Sequence, residues 1–355
     1  MHEVAKERFP DAAPIFVVGA PRSGTTLLTR VLDGHPNVAI ADELIFYDII
    51  LTARSVVPEL DTPERIEAFF ALLPKMDHVR YWSGLDEVLA ETRRRLLAHP
   101  HPTYGRFFLL LMELHAERQG AARFGDKTPW NVRHLDLIVT NFPDARIIHL
   151  VRDPRANVAS RRKLPRTSTD VLTNAVKWKL DIQAARRFAA GPLATPANYM
   201  EVRYEDLVTD LEPHARRICA FIGEPWSDGM LAFHESKDIM FRDQPWKEGV
   251  LKPAHTGSLE QWRKELTAAQ VGIIERVCAG EMQAYAYAPA TPRASLLAVA
   301  TQLPAEIAAW RSFKRTDSAR QRQDVDIEFR HGAAPLYALM LKTAGARLRR
   351  LLGAG

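Results

Sequence analysis

Two cysteines in 355 residues, Cys219 and Cys278, are too few for a disulfide framework and stand in no metal-ligand spacing. No apolar run reaches the ~18–20 residues of a membrane-spanning helix. Residues 1–11 are charged and lack the apolar core of a secretory signal. These absences predict a reducing, cytoplasmic protein without a metal centre. The most telling absence is a lysine. Gly19 and Gly24 are separated by four residues, as in a phosphate-binding G-x-x-x-x-G-K-[ST] loop, but Thr25 stands where that loop carries lysine. An arginine, Arg22, stands inside the loop instead. Backbone N–H groups and a helix N-terminus still make such a loop an anion cradle. The contact that bridges the β- and γ-phosphates of a triphosphate is missing. The loop is expected to hold a phosphate or sulfate ester and not to serve an ATPase; the plainer reading is a tight strand-to-helix connection.

Hydrophobic content of 46% and charged content of 26% are those of an ordinary globular protein, and 355 residues suffice for one large α/β domain or two modest ones. The net charge of +5 is unevenly placed. Residues 311–355 hold ten Lys/Arg and four Asp/Glu, a local +6 that leaves the rest near −1. The body is therefore not a nucleic-acid surface. The tail mixes Leu336, Leu339, Leu341, Leu348, Leu351 and Leu352 with Lys342, Arg347, Arg349 and Arg350. It is expected to meet the inner face of a membrane or a partner; an amphipathic helix packed on the body is the alternative. The alanine- and arginine-rich composition points to a bacterial source.

Residues 14–19 read as a buried strand and residues 25–32 as a helix stopped at Gly34 and Pro36. Val38-Ala39-Ile40 reads as a second short strand. Three helical patterns between residues 61 and 119 break at Pro74, at Trp82-Ser83-Gly84 and at Pro100-His101-Pro102. Residues 146–151 form another buried strand, closed by Asp153-Pro154 with proline at a first helical position. A strand at 198–204 precedes a helix over 206–221. Ser258 and Thr267 each stand three residues before Gln, at capping-box spacing. Strands alternating with helices predict an α/β fold. Expected is a P-loop-like parallel sheet with helices on both faces, a helical insertion over 50–123 and a helical C-terminal tail. The domain would span 1–287, with linker and tail over 288–355.

The strand at 146–151 ends in Arg152-Asp153-Pro154-Arg155, and Ser160 lies eight residues after Arg152. In a parallel sheet, the C-terminal strand ends converge on one crevice where ligands bind. Arginine forks suit phosphate oxygens, and a serine hydroxyl adds a donor. Arginines at the positive end of a helix suggest an anionic ligand, although they could merely solvate the helix start.

With two anion sites on one rim, the chain resembles the sulfotransferase superfamily over residues 14–285. Pro-Arg-Ser-Gly-Thr-Thr at 21–26 resembles that family's 5′-phosphosulfate loop. Arg152 through Ser160 resembles its 3′-phosphate site. The element from Val202 to Leu207, with Tyr204, is similar to the one whose tyrosine lies near the nucleotide. Lys252-Pro253 through Trp262 resembles the late loop that closes over it. The resemblance implies 3′-phosphoadenosine 5′-phosphosulfate as donor, held by Arg22, Ser23, Gly24, Thr25, Thr26, Arg152, Ser160, Tyr204 and Lys252. The run Leu32-Asp33-Gly34-His35-Pro36-Asn37-Val38 followed by Asp42-Glu43 looks closest to tyrosylprotein sulfotransferases and their bacterial relatives. The resemblance makes Glu43 the general base, and Lys127 of Gly125-Asp126-Lys127-Thr128-Pro129 a contact of the transferring sulfonate. Glu43 also reads as a helix N-terminal carboxylate, and Lys127 as an exposed lysine before a helix. His134 and His149 read as structural.

The expected reaction is in-line sulfonyl transfer to a hydroxyl of a glycan, glycolipid, phenol or peptide, with no metal. Glu43 takes the proton, while Arg22, Lys127 and the loop N–H groups offset developing charge. The insertion would form the acceptor pocket. The secretory location and peptide acceptor of the tyrosylprotein enzymes are not carried over. The alternative is a P-loop nucleotide or small-molecule kinase, with Asp153 holding magnesium; the missing lysine and the preceding Arg152 count against it.

Overall fold

The computed structural model describes residues 8–54, 56–75, 86–164, 169–235, 255–290, 304–306 and 308. Lys252 and the basic segment 311–355 lie outside the described residues. Five strands, β1 (Ile15–Gly19), β2 (Val38–Asp42), β3 (Arg123–Lys127), β4 (Arg146–Val151) and β5 (Tyr199–Arg203), form a parallel sheet in the order β2-β3-β1-β4-β5. The flanking helices are α1 (Thr25–Asp33), α2 (Phe46–Ala53), α3 (Pro63–Leu72), α4 (Asp86–Leu97), α5 (Tyr104–Gln119), α6 (Leu135–Asn141) and α7 (Pro154–Arg161). They continue with α8 (Val171–Ala189), α9 (Tyr204–Thr209), α10 (Leu211–Ile222), α11 (Trp262–Glu265), α12 (Ala268–Val277) and α13 (Ala279–Ala284). This is the expected α/β architecture.

The chain divides into two compact units, one of residues 1–19, 24–151 and 184–255, the other of 20–23, 152–183 and 256–355. The first holds the sheet. Strands covered on both faces must be apolar throughout, and every residue of β1 is buried. Gly19 ends β1 at φ 154, where a Cβ would stand 2.4 Å from the Leu150 carbonyl oxygen. Only glycine permits that approach between β1 and β4. Helix α5 packs on β2 and β3. Its Phe108 ring stacks on Phe46 at 4.0 Å between centroids, and Phe107 meets Phe69 edge-on at 4.9 Å. The helices of the insertion thus belong to the core of this unit. In the second unit, α7 packs on α11 and α12, and Trp178 of α8 is fully buried. Among the described residues no helix is long and apolar enough to cross a membrane.

Several elements differ from expectation. The sequence pattern hides β3 because Asp126 and Lys127 close it, and charged residues break an apolar run; both are fully buried. The nineteen-residue α8 is likewise unannounced. The helix expected over 206–221 is two helices, broken at Asp210 (φ −141°, ψ 74°). Tyr204 begins α9 instead of closing a strand. Ser258 opens no helix: it ends a 3-10 turn, and α11 starts behind Gln261 with no side-chain cap. The capping box at Thr267 and Gln270 is formed.

Candidate active site

Residues 20–23 of the loop fall in the second unit. Ser23 N–H closes a turn on the Ala20 carbonyl at 3.0 Å. Within it Arg22 stands at φ 76, in the left-handed region. For a residue with a Cβ that costs about 1–3 kcal/mol, so the surroundings must hold it. The α7 segment does so. Arg22 Nε donates to Ser160 Oγ at 3.1 Å, and Arg152 Nη1 donates to the Arg22 carbonyl at 3.1 Å. Asn157 Nδ2 donates to the Pro21 carbonyl at 2.9 Å and to Ser23 Oγ at 3.2 Å. Three residues expected to bind anions, Arg22, Arg152 and Ser160, are thus in direct contact. Ser23 is fully buried, and its hydroxyl and N–H both serve the turn.

Arg152 is itself held. Trp178 Nε1 donates to its carbonyl at 3.0 Å, and its Nη2 donates to the Ser258 carbonyl at 3.3 Å. Asp153 caps α7 by accepting from Arg155 N at 2.8 Å. The Arg155 guanidinium pairs with Asp153 at 2.6 Å and Glu275 at 2.8 Å, and lies 4.4 Å over the Trp262 ring. Arg155 is thereby a structural clamp, and the Asp153 carboxylate is committed to it.

In the first unit, Gly24 caps α1 at φ 96, with no side-chain cap and no acidic residue in the first turn. No carboxylate of that first turn offsets the positive helix end, which favours an anion there. A Cβ on Gly24 would lie 2.2 Å from the Tyr204 ring, so this glycine and the tyrosine are in close contact. Thr25 is buried and Thr26 half-buried.

The ends of β2 and β3 carry the second group of charges in that unit. The register pairs Asp42 with Lys127. The Lys127 ammonium, fully buried, forms an ion pair with Asp42 and donates to Glu43 Oε1 at 2.9 Å. Burial works to lower the Lys127 pKa, but the Asp42 and Glu43 carboxylates outweigh it and hold it above the ordinary lysine value. The ammonium is charged. Glu43 keeps a third of its side-chain surface exposed, 32%. It also stands at φ 47, followed by Ile45 at φ 51. Asp126, behind Lys127, is fully buried and accepts from Leu44 N, Thr128 Oγ1 and Asn131 Nδ2. Burial pushes its pKa up to about 7, against the opposing pull of Thr128, Leu44 and Lys127.

Sequence reasoning missed Asp126 and Asn157, and named Asp42 only as a neighbour of Glu43. A polar residue that closes an apolar strand is the signal that could have found Asp126. His149 is fully buried, its Nδ1 2.8 Å from the Tyr199 hydroxyl, and His134 stacks on Tyr47 at 5.3 Å.

A profile described as "Sulfotransferase family" matches residues 14–228. Protein-tyrosine sulfotransferase A of Caenorhabditis elegans is 29% identical over 259 residues, 70% of this chain and 60% of that protein. Protein-tyrosine sulfotransferase 1 of Danio rerio is 27% identical over 267 residues, 71% of this chain and 66% of that protein. The chain therefore spans somewhat under two thirds of these relatives. The sulfotransferase domain from the Synechococcus PCC 7002 olefin synthase superposes with a TM-score of 0.55 at 23% identity, covering 74% of this chain and 90% of that one. The sulfotransferase domain from the curacin biosynthetic pathway gives 0.52 at 17%, covering 78% and 98%. At those identities the likeness is one of fold.

Proposed function

The chain belongs to the sulfotransferase family, and from that premise we propose that it transfers a sulfonate group from 3′-phosphoadenosine 5′-phosphosulfate to a hydroxyl. The acceptor oxygen attacks sulfur in line. The new O–S bond forms as the sulfur–oxygen bond to the 5′-phosphate breaks. Glu43 takes the hydroxyl proton, and the product 3′,5′-bisphosphate leaves with the negative charge. Arg22 and the α1 N-terminus offset charge on the sulfonate and the leaving oxygen. Arg152 and Ser160 take the 3′-phosphate, Tyr204 lies along the nucleotide, and Lys252 closes over it. Lys127 supplies positive charge beside the reacting group and keeps Glu43 in place. No step calls for a metal. The observation that carries the reading is Glu43 itself, a partly exposed carboxylate on a strained turn, anchored by a buried ammonium. A helix-start carboxylate would need neither the strain nor the anchor.

The acceptor is a hydroxyl of a phenol, peptide, glycan or glycolipid, bounded by the 50–123 helices. The protein works in the cytoplasm, with its basic tail against an anionic membrane face. A kinase reading is disfavoured: the loop lysine is absent, and Asp153 is taken by Arg155 and the cap of α7. The test uses labelled donor with p-nitrophenol, a tyrosyl peptide and an oligosaccharide, without added metal. Transfer of label to one of them is expected. Magnesium-dependent ATP hydrolysis, with no affinity for the bisphosphate product, would overturn the reading.

A further inference from the structure

We infer that Asp126 is a positioning residue for Glu43: it fixes the backbone turn on which the carboxylate stands. The inference rests on the reading of Glu43 as the base. The parallel ladder of β2 and β3 ends at the Asp42–Lys127 pair. Beyond it the chain turns through φ 47 at Glu43 and φ 51 at Ile45. A strand that turns away leaves its N–H groups without ladder partners, and buried N–H groups must find others. Here they are supplied by three consecutive residues of the β3 end. Glu43 N donates to the Lys127 carbonyl at 2.8 Å, Leu44 N to Asp126 Oδ1 at 3.1 Å, and Ile45 N to Thr128 Oγ1 at 3.1 Å.

Asp126 governs two of those three bonds. It receives Leu44 directly. It also receives the single hydroxyl proton of Thr128 at 3.0 Å, which turns the oxygen lone pair of that threonine toward Ile45. Its other oxygen is anchored by Asn131 Nδ2 at 2.8 Å. The carboxylate is fully buried. It touches no substrate; it acts through the turn, and through the turn on the reach of Glu43. A buried carboxyl is costly to maintain where a neutral side chain would fit, so its presence at this spot is accounted for by the work of the clamp.

Two readouts test this. The first needs no substrate: amide hydrogen exchange by NMR. In Asp126→Ala, which removes the acceptor oxygens, the Leu44 and Ile45 amides are expected to exchange roughly tenfold faster or more, and in Thr128→Val the Ile45 amide, a loss of about one hydrogen bond, while the amides of β1 keep their rates. Thr128→Ser, which retains the hydroxyl, is expected to restore protection. If Asp126→Ala does not fold, the Ile45 amide in Thr128→Val decides. The second readout is kinetic. kcat is expected to fall roughly 10- to 100-fold, the scale of a slight misplacement of a reacting group, with donor KM and bisphosphate affinity unchanged. In Glu43→Gln, adding Asp126→Ala should cost little more, because the group being positioned is already gone. Unchanged exchange at Leu44 and Ile45, or fully multiplicative losses in the double variant, would overturn the inference. Normal turnover by Glu43→Gln would instead remove Glu43 as the base, and the exchange rates would still judge the clamp.

Discussion

A general base must be reachable and must be held, and the two demands pull against each other. Glu43, proposed as that base, is reachable through its exposed third and held by Lys127. Replacing it with glutamine keeps size and removes basicity. Glu43→Gln is expected to lower turnover ~10²–10⁴-fold, the usual loss for a missing general base. Affinity for the 3′,5′-bisphosphate, measured by calorimetry, should hardly change. Arg22→Ala should lower affinity and turnover together. Near-normal turnover in Glu43→Gln would return the search to His35, His134 and Asp42. Asp126 makes a separate prediction about stability. Its folded pKa is raised from 3.8 to about 7 by burial. Below about pH 4 both folded and unfolded chains carry the proton. Between about pH 4 and 7 the unfolded chain has released its proton while the folded chain keeps it, so stability falls as the pH rises and levels off above about 7. The amide introduced by Asp126→Asn cannot ionise, so the Tm difference between the protein and that variant should move against the unmodified protein between about pH 4 and 7. A difference that stays flat across that range would show that Asp126 does not titrate there. The sequence singles out Glu43 and Arg22 because each belongs to a contiguous motif. It does not single out Asp126, since its partner at Leu44 lies 82 positions away and nothing local announces it.

Helix α7 is built into the fold and also carries Ser160, proposed to meet the 3′-phosphate. Pro154 starts it, Asp153 caps it, Arg155 locks it to Glu275, and Asn157 and Ser160 face the 20–23 turn. Ser160→Ala and Arg152→Ala are expected to weaken binding of the 3′,5′-bisphosphate far more than of adenosine 5′-phosphate, by the roughly 1.5–3 kcal/mol of a charge-assisted bond, or about 10- to 100-fold. Equal weakening of both ligands would refute the 3′-phosphate assignment. Asn157→Ala acts on the turn instead. It removes the donor to Pro21 and Ser23 and should weaken both ligands alike, by about 1 kcal/mol or roughly fivefold. Calorimetry with the two nucleotides separates the cases. The sequence revealed α7 through Asp-Pro, a signal that needs no tertiary context. It hid β3, whose last residues are charged yet buried, and split α9 from α10 at an aspartate that carries no obvious break. Local rules locate elements that end on strong punctuation, and miss those whose character is set by what covers them.

Charge is a property of the whole molecule, and here it is concentrated: a local +6 over residues 311–355 against a body near −1. A near-neutral body has no long-range pull toward an anionic surface, so any such attraction must come from the tail. Each Lys or Arg near an anionic bilayer contributes about 1 kcal/mol. The interspersed leucines would add apolar contact once the segment lies in the interface. Truncation after residue 310 tests this cleanly because of Glu306. That carboxylate is buried and accepts the Val171 N–H at the start of α8 at 2.6 Å, so the shortened chain keeps it. The full chain is expected to float with phosphatidylserine-containing liposomes at low salt, and residues 1–310 to remain behind. Raising salt from roughly 0.1 M to about 1 M shortens the screening length from ~10 Å to ~3 Å and should release the full chain. Neutral phosphatidylcholine vesicles should capture neither. If both chains float alike, or neither does, the tail has no part in membrane contact. The proposed sulfonyl transfer would be untouched by that result, because every residue assigned to it lies before 255.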